Sequence, residues 1–271
     1  MKTTNPYLPK KVKILSVTKD TNDISTFRLN YPIQNKPGQF VEVGVLGIGE
    51  CPISFCSYSK KHIDLCIRNV GNVTNAIHKK SKGEYLVVRG PFGNGYPMEQ
   101  ISEEHVSRNL KNELILIGGG TGAAPMRSVI DYVEQNRKKF GKVSIFFGFR
   151  NYENILFKKD FKRWSKLFNF QFTLDCSTNK LKCNTGAVTL LLEKAKFSEN
   201  TKVLICGPPI MLKFIMPVLM AKGIKEQNVF ISFERLMSCG IGKCGHCELN
   251  GKYVCKHGPV FRYDEAKNFA D

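Results

Sequence analysis

Between Val12 and about Pro97, hydrophobic positions come in short alternating runs broken by glycine, proline and asparagine. In His62–Arg68, Ile63, Leu65 and Ile67 fall on one face, while Asp64, Cys66 and Arg68 fall on the other. That period of two marks a half-buried strand. Ile24–Asn30, Phe40–Val45 and Tyr85–Arg89 share the character, and turn signals recur at Lys36-Pro37-Gly38, Gly71-Asn72 and Gly93-Asn94-Gly95. Short strands at this spacing predict a small antiparallel β-barrel or sandwich over residues 1–100.

The pattern changes near Glu113. Apolar strand candidates at Glu113–Ile117, Lys142–Phe147, Phe170–Asp175, Lys202–Cys206 and Val229–Phe233 alternate with helical periodicity. Val129, Ile130 and Val133 give one helical stripe; Phe157, Phe161, Trp164 and Phe168, at i, i+4, i+7 and i+11, give another. Residues 110–233 thus read as an α/β domain of βαβ units around a parallel sheet. Pro217, inside the helical stretch Met211–Lys222, is expected to kink or shorten that helix. The remaining segment, 234–271, is rich in glycine and cysteine and too small to build its own core, so it needs a staple.

That staple is legible in its spacing. Cys239, Cys244 and Cys247 form C-x4-C-x2-C and Cys255 follows, the plant-type ferredoxin arrangement for a [2Fe–2S] cluster. Gly240, Gly242 and Gly245 allow the tight backbone such a loop needs, and loop N–H groups can then donate to the sulfurs. Four cysteines near a C-x2-C can also form a structural zinc site, and that alternative stays open on spacing alone. His246, between two ligand candidates, reads as a solvent-facing loop residue.

Composition narrows the picture. With 41 Lys+Arg against 23 Asp+Glu the net charge is +18. Lysines outnumber arginines about threefold and are scattered through every segment, without the arginine–aromatic clustering of a nucleic-acid surface. The charge reads instead as a lysine-rich surface suited to acidic cofactors and an acidic protein partner, with no nucleic acid. The 42% hydrophobic content excludes a disordered chain. No apolar run is long enough for a spanning helix, and the basic start Met1–Lys13 lacks a signal-type hydrophobic stretch, so a cytoplasmic chain with no membrane partner is expected. Ten cysteines in that compartment are thiols or metal ligands rather than disulfides.

Ile115-Leu116-Ile117-Gly118-Gly119-Gly120-Thr121-Gly122-Ala123-Ala124-Pro125 follows a strand and opens a helix. Glycines there let backbone approach a pyrophosphate at a helix N-terminus. Cys206-Gly207-Pro208-Pro209 ends another strand of the same sheet, and carboxyl ends of parallel strands face one crevice. Both turns together point to a nicotinamide nucleotide. No Asp or Glu ends the strand at Gly148-Phe149-Arg150-Asn151, which leaves NADH and NADPH both open.

Gly118–Pro125 with Cys206–Pro209, behind a β-barrel, resembles the ferredoxin–NADP reductase superfamily. The resemblance implies an FAD-binding barrel and an NAD(P)H-binding parallel-sheet domain. The family's flavin signature, Arg-Pro-x-Ser or Arg-x-(Tyr/Phe/Pro)-Ser, is matched by Pro52, Ile53 and Ser54, with Cys51 in place of the arginine. Arg68 is a candidate for the missing pyrophosphate charge. Ile67, Arg68, Asn69, Gly71, Val73 and Thr74 correspond to the flavin phosphate and ribose segment. Within the superfamily the chain most resembles the anaerobic sulfite reductase B-subunit family, through Gly49–Ser54, Ile67–Thr74, Gly93–Pro97, the cysteine tail and the terminal Phe269-Ala270-Asp271.

That resemblance implies an electron relay from NAD(P)H, taken as NADH, through FAD and the [2Fe–2S] cluster. The electrons would pass to an iron–sulfur electron-transfer subunit and a siroheme sulfite reductase subunit. Ser54 would lie near the reactive flavin nitrogen and Cys206 beside the nicotinamide, the two residues in catalytic positions. The same relay serving a cytosolic hydrogenase, as its gamma subunit, or a dihydroorotate dehydrogenase is the alternative. A zinc-stabilised basic binding module is the alternative of a different class.

Overall fold

Strands form where the alternation is clean. A computed structural model of the chain describes residues 5–103, 113–181, 183–198 and 200–269; Ala270 and Asp271 of the terminal triplet, and Met1–Thr4 of the basic start, lie outside them. The first elements are β1 (Lys10–Lys19), β2 (Ile24–Leu29), β3 (Phe40–Val45), β4 (Gly49–Ser54), β5 (Ile63–Arg68), α1 (Asn72–His78) and β6 (Tyr85–Phe92). They form an antiparallel sheet in the order β4-β3-β6-β1-β2-β5. A bridge between Phe55 and Leu65 links its two ends, which closes the sheet into the expected barrel. Val12, Ile14, Phe27, Leu29, Val41, Val43, Ile63, Leu65 and Ile67 fill the interior. Full burial of each such side chain stabilises by about 1.5–3 kcal/mol.

A second set follows: α2 (Met98–Glu103), β7 (Leu114–Gly119), α3 (Ala123–Gln135), β8 (Val143–Phe149), α4 (Phe161–Leu167), β9 (Asn169–Leu174), β10 (Asn184–Thr185), α5 (Thr189–Lys194), β11 (Lys202–Cys206), α6 (Pro209–Ala221) and β12 (Val229–Ser232). The tail adds β13 (Glu248–Leu249), β14 (Lys252–Tyr253), α7 (Val254–His257), β15 (Val260–Arg262) and α8 (Tyr263–Ala266). A seven-stranded sheet runs β10-β9-β8-β7-β11-β12-β15, and its pairs from β10 through to β12 are parallel. No helix among the described residues is long and apolar enough to cross a membrane.

Two local expectations change. The aromatic stripe is not one long helix: α4 covers only Phe161–Leu167, and Phe157 precedes it with φ +55°. Its period survives because Phe157 and Phe161 both pack on the buried Trp164, at 6.5 and 5.9 Å between ring centres. Pro217 does not shorten α6, which continues to Ala221. Pro217 and Lys213 are both exposed, so the carbonyl that loses its partner has water available.

The chain divides into two compact units. One holds the barrel, through Tyr96, together with Phe233–Val260 and Phe269; the other holds Pro97–Ser232 and Phe261–Asn268. The cysteine segment therefore shares a unit with the barrel. Strand β6 and the turn after it grip the segment at two points. Arg89 donates from Nη1 to the Cys239 carbonyl at 3.0 Å and from Nη2 to the Ser238 carbonyl at 3.3 Å. Asn94 donates from Nδ2 to the carbonyls of His257 (2.9 Å) and Val260 (2.8 Å), and its N–H donates to Gly258 O at 2.7 Å. Gly93 permits this approach: a Cβ there would lie 2.5 Å from Pro259 Cδ.

Beside Arg89 in the barrel register stands Glu42, fully buried, with no hydrogen-bond partner for either carboxyl oxygen among the described residues. Burial pushes its carboxyl up to about 8; Arg89 opposes this, while Glu50 and Cys239 add to it. The folded state thus holds this proton more tightly than the unfolded chain, so stability falls as pH rises from the ordinary carboxyl range towards 8. Glu42→Gln removes that loss. It is expected to raise the unfolding temperature at pH 9 by roughly 5 °C, with the difference fading towards pH 5, in thermal melts across that range.

Candidate cofactor sites

In the α/β unit, β7 and β11 lie side by side with Gly118 opposite Cys206, so the two turns read from the sequence emerge together. Gly118, Gly119, Gly120, Thr121, Gly122 and Ala123 make the turn from β7 into α3; Cys206, Gly207, Pro208 and Pro209 make the turn from β11 into α6. The glycines are fixed by crowding. A Cβ on Gly122 would lie 2.1 Å from the Cys206 carbonyl oxygen, and Cβ atoms on Gly119 and Gly207 would meet Met211, at 2.4 Å from Sδ and 2.2 Å from Cε. Gly120 adopts φ +54° with open space beside it. Thr121 is exposed, while Cys206 is buried to 1%. The long helix α3 starts at this turn, so its unpaired N–H groups and positive dipole end face the space above the strands. A backbone cradle at a helix start fits a dinucleotide pyrophosphate.

In the barrel unit, Pro52, Ile53 and Ser54 lie on β4, with Ser54 opposite Phe40. Cys51, at the arginine position of the flavin signature, packs towards the barrel core, its Sγ 3.6 Å from the Val43 carbonyl. Burial raises its thiol to about 12, so it supplies no charge. Ile67 is fully buried in the core and offers a ligand only its backbone. Arg68, at the end of β5, is exposed and donates to Asp23 Oδ2 at 2.7 Å; that bond holds the Asp23 carboxyl below its usual range. Asn69 donates its N–H to the Asp23 carbonyl. Val73 packs against the barrel core. Thr74 Oγ1 accepts from the N–H of Val70 and of Gly71 at 3.0 and 2.9 Å, and donates to the Gly71 carbonyl. Its hydroxyl thus shapes the turn into α1.

The four tail thiols come together in twos. Cys247 Sγ lies 3.2 Å from Cys255 Sγ, and the Cys239 thiol is hydrogen-bonded by Cys244. No three His, Cys, Asp or Glu side chains converge as a single-ion site among the described residues. Two ligands for each of two irons suit this pairing better than four on one zinc ion. Backbone N–H groups already point at the sulfurs: Ile241 and Lys243 to Cys239 at 3.4 and 3.3 Å, Gly242 to Cys255 at 3.0 Å. Gly240, Gly242 and Gly245 all have φ between +72° and +83°, which brings those donors inward. His246 is exposed and pairs with Ser238 Oγ at 2.7 Å. The other cysteines make no disulfide. Sequence reasoning missed Arg89 and Asn94, whose partners lie 150 and 166 residues away.

The pairs differ in acidity. Burial acts to raise the Cys239 thiol, but N–H donation from Lys243, Ile241 and Cys244 outweighs it and brings the thiol down to about 6. Burial and the neighbouring Cys247 push Cys255 up to about 12. In metal-free protein at pH 7, iodoacetamide is expected to modify Cys239 well ahead of Cys255, with the rate at Cys239 falling as pH drops below 6 and the order kept; peptide mass mapping reads the order. In the other unit, Gly122→Ala forces the two turns apart. Calorimetric titration should show nicotinamide nucleotide binding weakened at least about tenfold, with a lowered unfolding temperature.

Comparison with known proteins agrees with this division of labour. Residues 116–216 match the oxidoreductase NAD-binding domain model, and residues 234–267 match the iron–sulfur cluster binding domain of dihydroorotate dehydrogenase B. The chain is 38% identical to the sulfhydrogenase 2 subunit gamma of Pyrococcus furiosus, covering 97% of both chains. It is 31% identical to a probable dihydroorotate dehydrogenase B (NAD(+)) electron transfer subunit of the same organism, covering 93% of this chain and 90% of that one. Among solved structures, an NADH-dependent reduced ferredoxin–NADP oxidoreductase superposes with a TM-score of 0.73 at 23% identity, over 98% of this chain and 92% of the other. The ferredoxin NADP+ reductase of Neisseria gonorrhoeae gives 0.69 at 19%, over 82% and 97%. The fold is thus that of ferredoxin–NADP reductases, and the chain belongs to the family that holds these sulfhydrogenase gamma and dihydroorotate dehydrogenase B electron transfer subunits, as an NAD(P)H-dependent oxidoreductase subunit with a C-terminal iron–sulfur domain.

Proposed function

We propose that this chain is the electron-transfer subunit of a hydrogenase-type complex, exchanging electrons between NAD(P)H and an iron–sulfur partner subunit. One arrangement carries the reading: the paired thiols are held by the same barrel that bears the flavin-signature strand β4. The full-length likeness to a sulfhydrogenase gamma subunit supports the hydrogenase partner over dihydroorotate dehydrogenase, whose electron transfer subunits match at lower identity. The sulfite reductase reading, with its siroheme partner, draws no support from these relatives.

When bound, FAD and a [2Fe–2S] cluster supply the hydride and one-electron chemistry that side chains lack. The protein's part is placement. Gly118–Ala123 and Cys206–Pro209 cradle the nicotinamide nucleotide through backbone, with Cys206 as a positioner. Pro52–Ser54 and the turn Asn69–Thr74 would hold the flavin, with the Ser54 hydroxyl as a hydrogen-bonding group for it. Cys239, Cys244, Cys247 and Cys255 ligate the cluster, and loop N–H groups donate to their sulfurs.

Anaerobic purification of the intact complex from its native host tests this. A hydrogenase catalytic subunit is expected to co-purify, with hydrogen-driven reduction of NAD(P)+ and combined flavin and iron–sulfur absorbance. Co-purification of a siroheme protein making sulfide, or of a dihydroorotate-oxidising chain, overturns the hydrogenase assignment. A colourless, zinc-bearing protein overturns the relay itself.

A further inference from the structure

The hydrogen bonds of Arg89 reach both the flavin-signature strand and the cysteine loop. Its side chain is 5% exposed. Nε donates to Glu50 Oε2 at 2.9 Å, and Nη2 lies 2.8 Å from the same oxygen. Glu50 immediately precedes Cys51-Pro52-Ile53-Ser54 on β4. The other edge of the guanidinium donates to the carbonyls of Ser238 and Cys239, at 3.3 and 3.0 Å, and to that of Pro6 at 3.3 Å. Phe92 packs under the group at 5.6 Å. Gly240 lies on the same ring: a Cβ there would fall 2.8 Å from Phe92 Cδ2 and 3.4 Å from Glu42 Cγ. The loop backbone is therefore pressed onto β3 and β6 where Arg89 grips it.

We propose that Arg89 is a positioning residue for electron transfer: it locks the cluster loop to the flavin-signature strand and, through its buried charge, favours the reduced cluster. Two physical arguments meet here. A planar fork with satisfied donors on both edges holds two backbone segments in fixed register, which a flexible ammonium does less well. Adding one electron at a four-thiolate site makes it one charge more negative, so a nearby fixed cation eases reduction and a fixed anion opposes it. Arg89 touches the residue that bears the Cys239 thiol; Glu50 stands one group further out. Neutralising each should therefore move the cluster's reduction potential in opposite directions, which loss of packing alone would not do.

The proposal rests on the segment being a [2Fe–2S] site, and the experiment separates the two. Wild type, Arg89→Gln, Arg89→Lys and Glu50→Gln are purified anaerobically as cluster-loaded full chains. Each is titrated with redox mediators while the reduced cluster is followed by electron paramagnetic resonance. Arg89→Gln is expected to lower the reduction equilibrium constant by about tenfold, a shift of about 59 mV for one electron. Arg89→Lys should stay within about threefold of wild type, and Glu50→Gln should raise the constant by about threefold or more. Shifts in the same direction for Arg89→Gln and Glu50→Gln, or none beyond twofold, overturn the proposal. If Arg89→Gln yields no folded protein, Glu50→Gln decides: an upward shift supports it, and any other result overturns it. Wild type lacking an iron–sulfur signal sinks the cluster reading instead.

Discussion

The buried fork from Arg89 to Glu50 and to the Ser238 and Cys239 carbonyls is the contact on which the cysteine segment depends. That segment contains only two- to four-residue elements after Ser238 and cannot bury a core of its own. Cluster ligation would close the loop upon itself, but would not place it. Placement comes from the barrel, by Arg89 at the first ligand and the residue before it, and by Asn94 after the last ligand. A buried cation is tolerated because the carboxylate and three carbonyls satisfy its donors; removing one partner of such a pair typically costs about 3–5 kcal/mol. The glycines at 93 and 240 follow from the same demand, since a Cβ at 93 would meet Pro259 and the Gly258 carbonyl of the tail and one at 240 would meet the Phe92 ring of the barrel.

The α/β unit solves a different problem with the same economy of side chains. Adjacent parallel strands bring Gly118 and Cys206 into register, and the turns leaving them then compete for space. Glycine at 119, 122 and 207 resolves the competition, and backbone becomes the surface that meets a ligand. Across both units the residues assigned to cofactors are mostly turns, thiols and small polar groups. Hydride and electron chemistry resides in the cofactors, so the protein's selection falls on distance and orientation.

Much of this was legible in the chain. The barrel interior wrote a period of two into His62–Arg68, even though Asp64 on the other face is also buried, under Arg28, and the buried parallel strands wrote apolar runs into Glu113–Ile117 and Lys202–Cys206. The ferredoxin-like spacing announced the thiols. Strand β4 was hidden because Gly49 and Pro52 interrupt its pattern, and it can carry proline because it ends the hydrogen-bonded order of strands. Phe157–Phe168 misled because aromatic packing on Trp164 reproduces helical spacing without continuous helix. Arg89 reads as one more polar residue of an alternating strand, and Asn94 as a turn former; their partners are remote in sequence, and no local pattern encodes them.

The same distinction explains the charge. The arginines given to ion pairs serve the fold: Arg28 with Asp64, Arg68 with Asp23, Arg127 with Asp160, Arg262 with Asp264, and Arg89 with Glu50. Arg163 takes three carboxylates at once, Asp131, Glu134 and Asp160. Carboxylates committed to guanidinium forks are not available to neutralise lysines, so the net charge of +18 is carried mainly by ammonium groups. Three bound anionic groups of about −2 each would still leave roughly +12. An ammonium is a strongly hydrated point charge that gives up its water reluctantly. Such a surface adds little to a tight interface but raises the encounter rate with an acidic partner, in a way that salt screens. For the proposed relay to another protein, fast encounter is the property that a lysine surplus would supply.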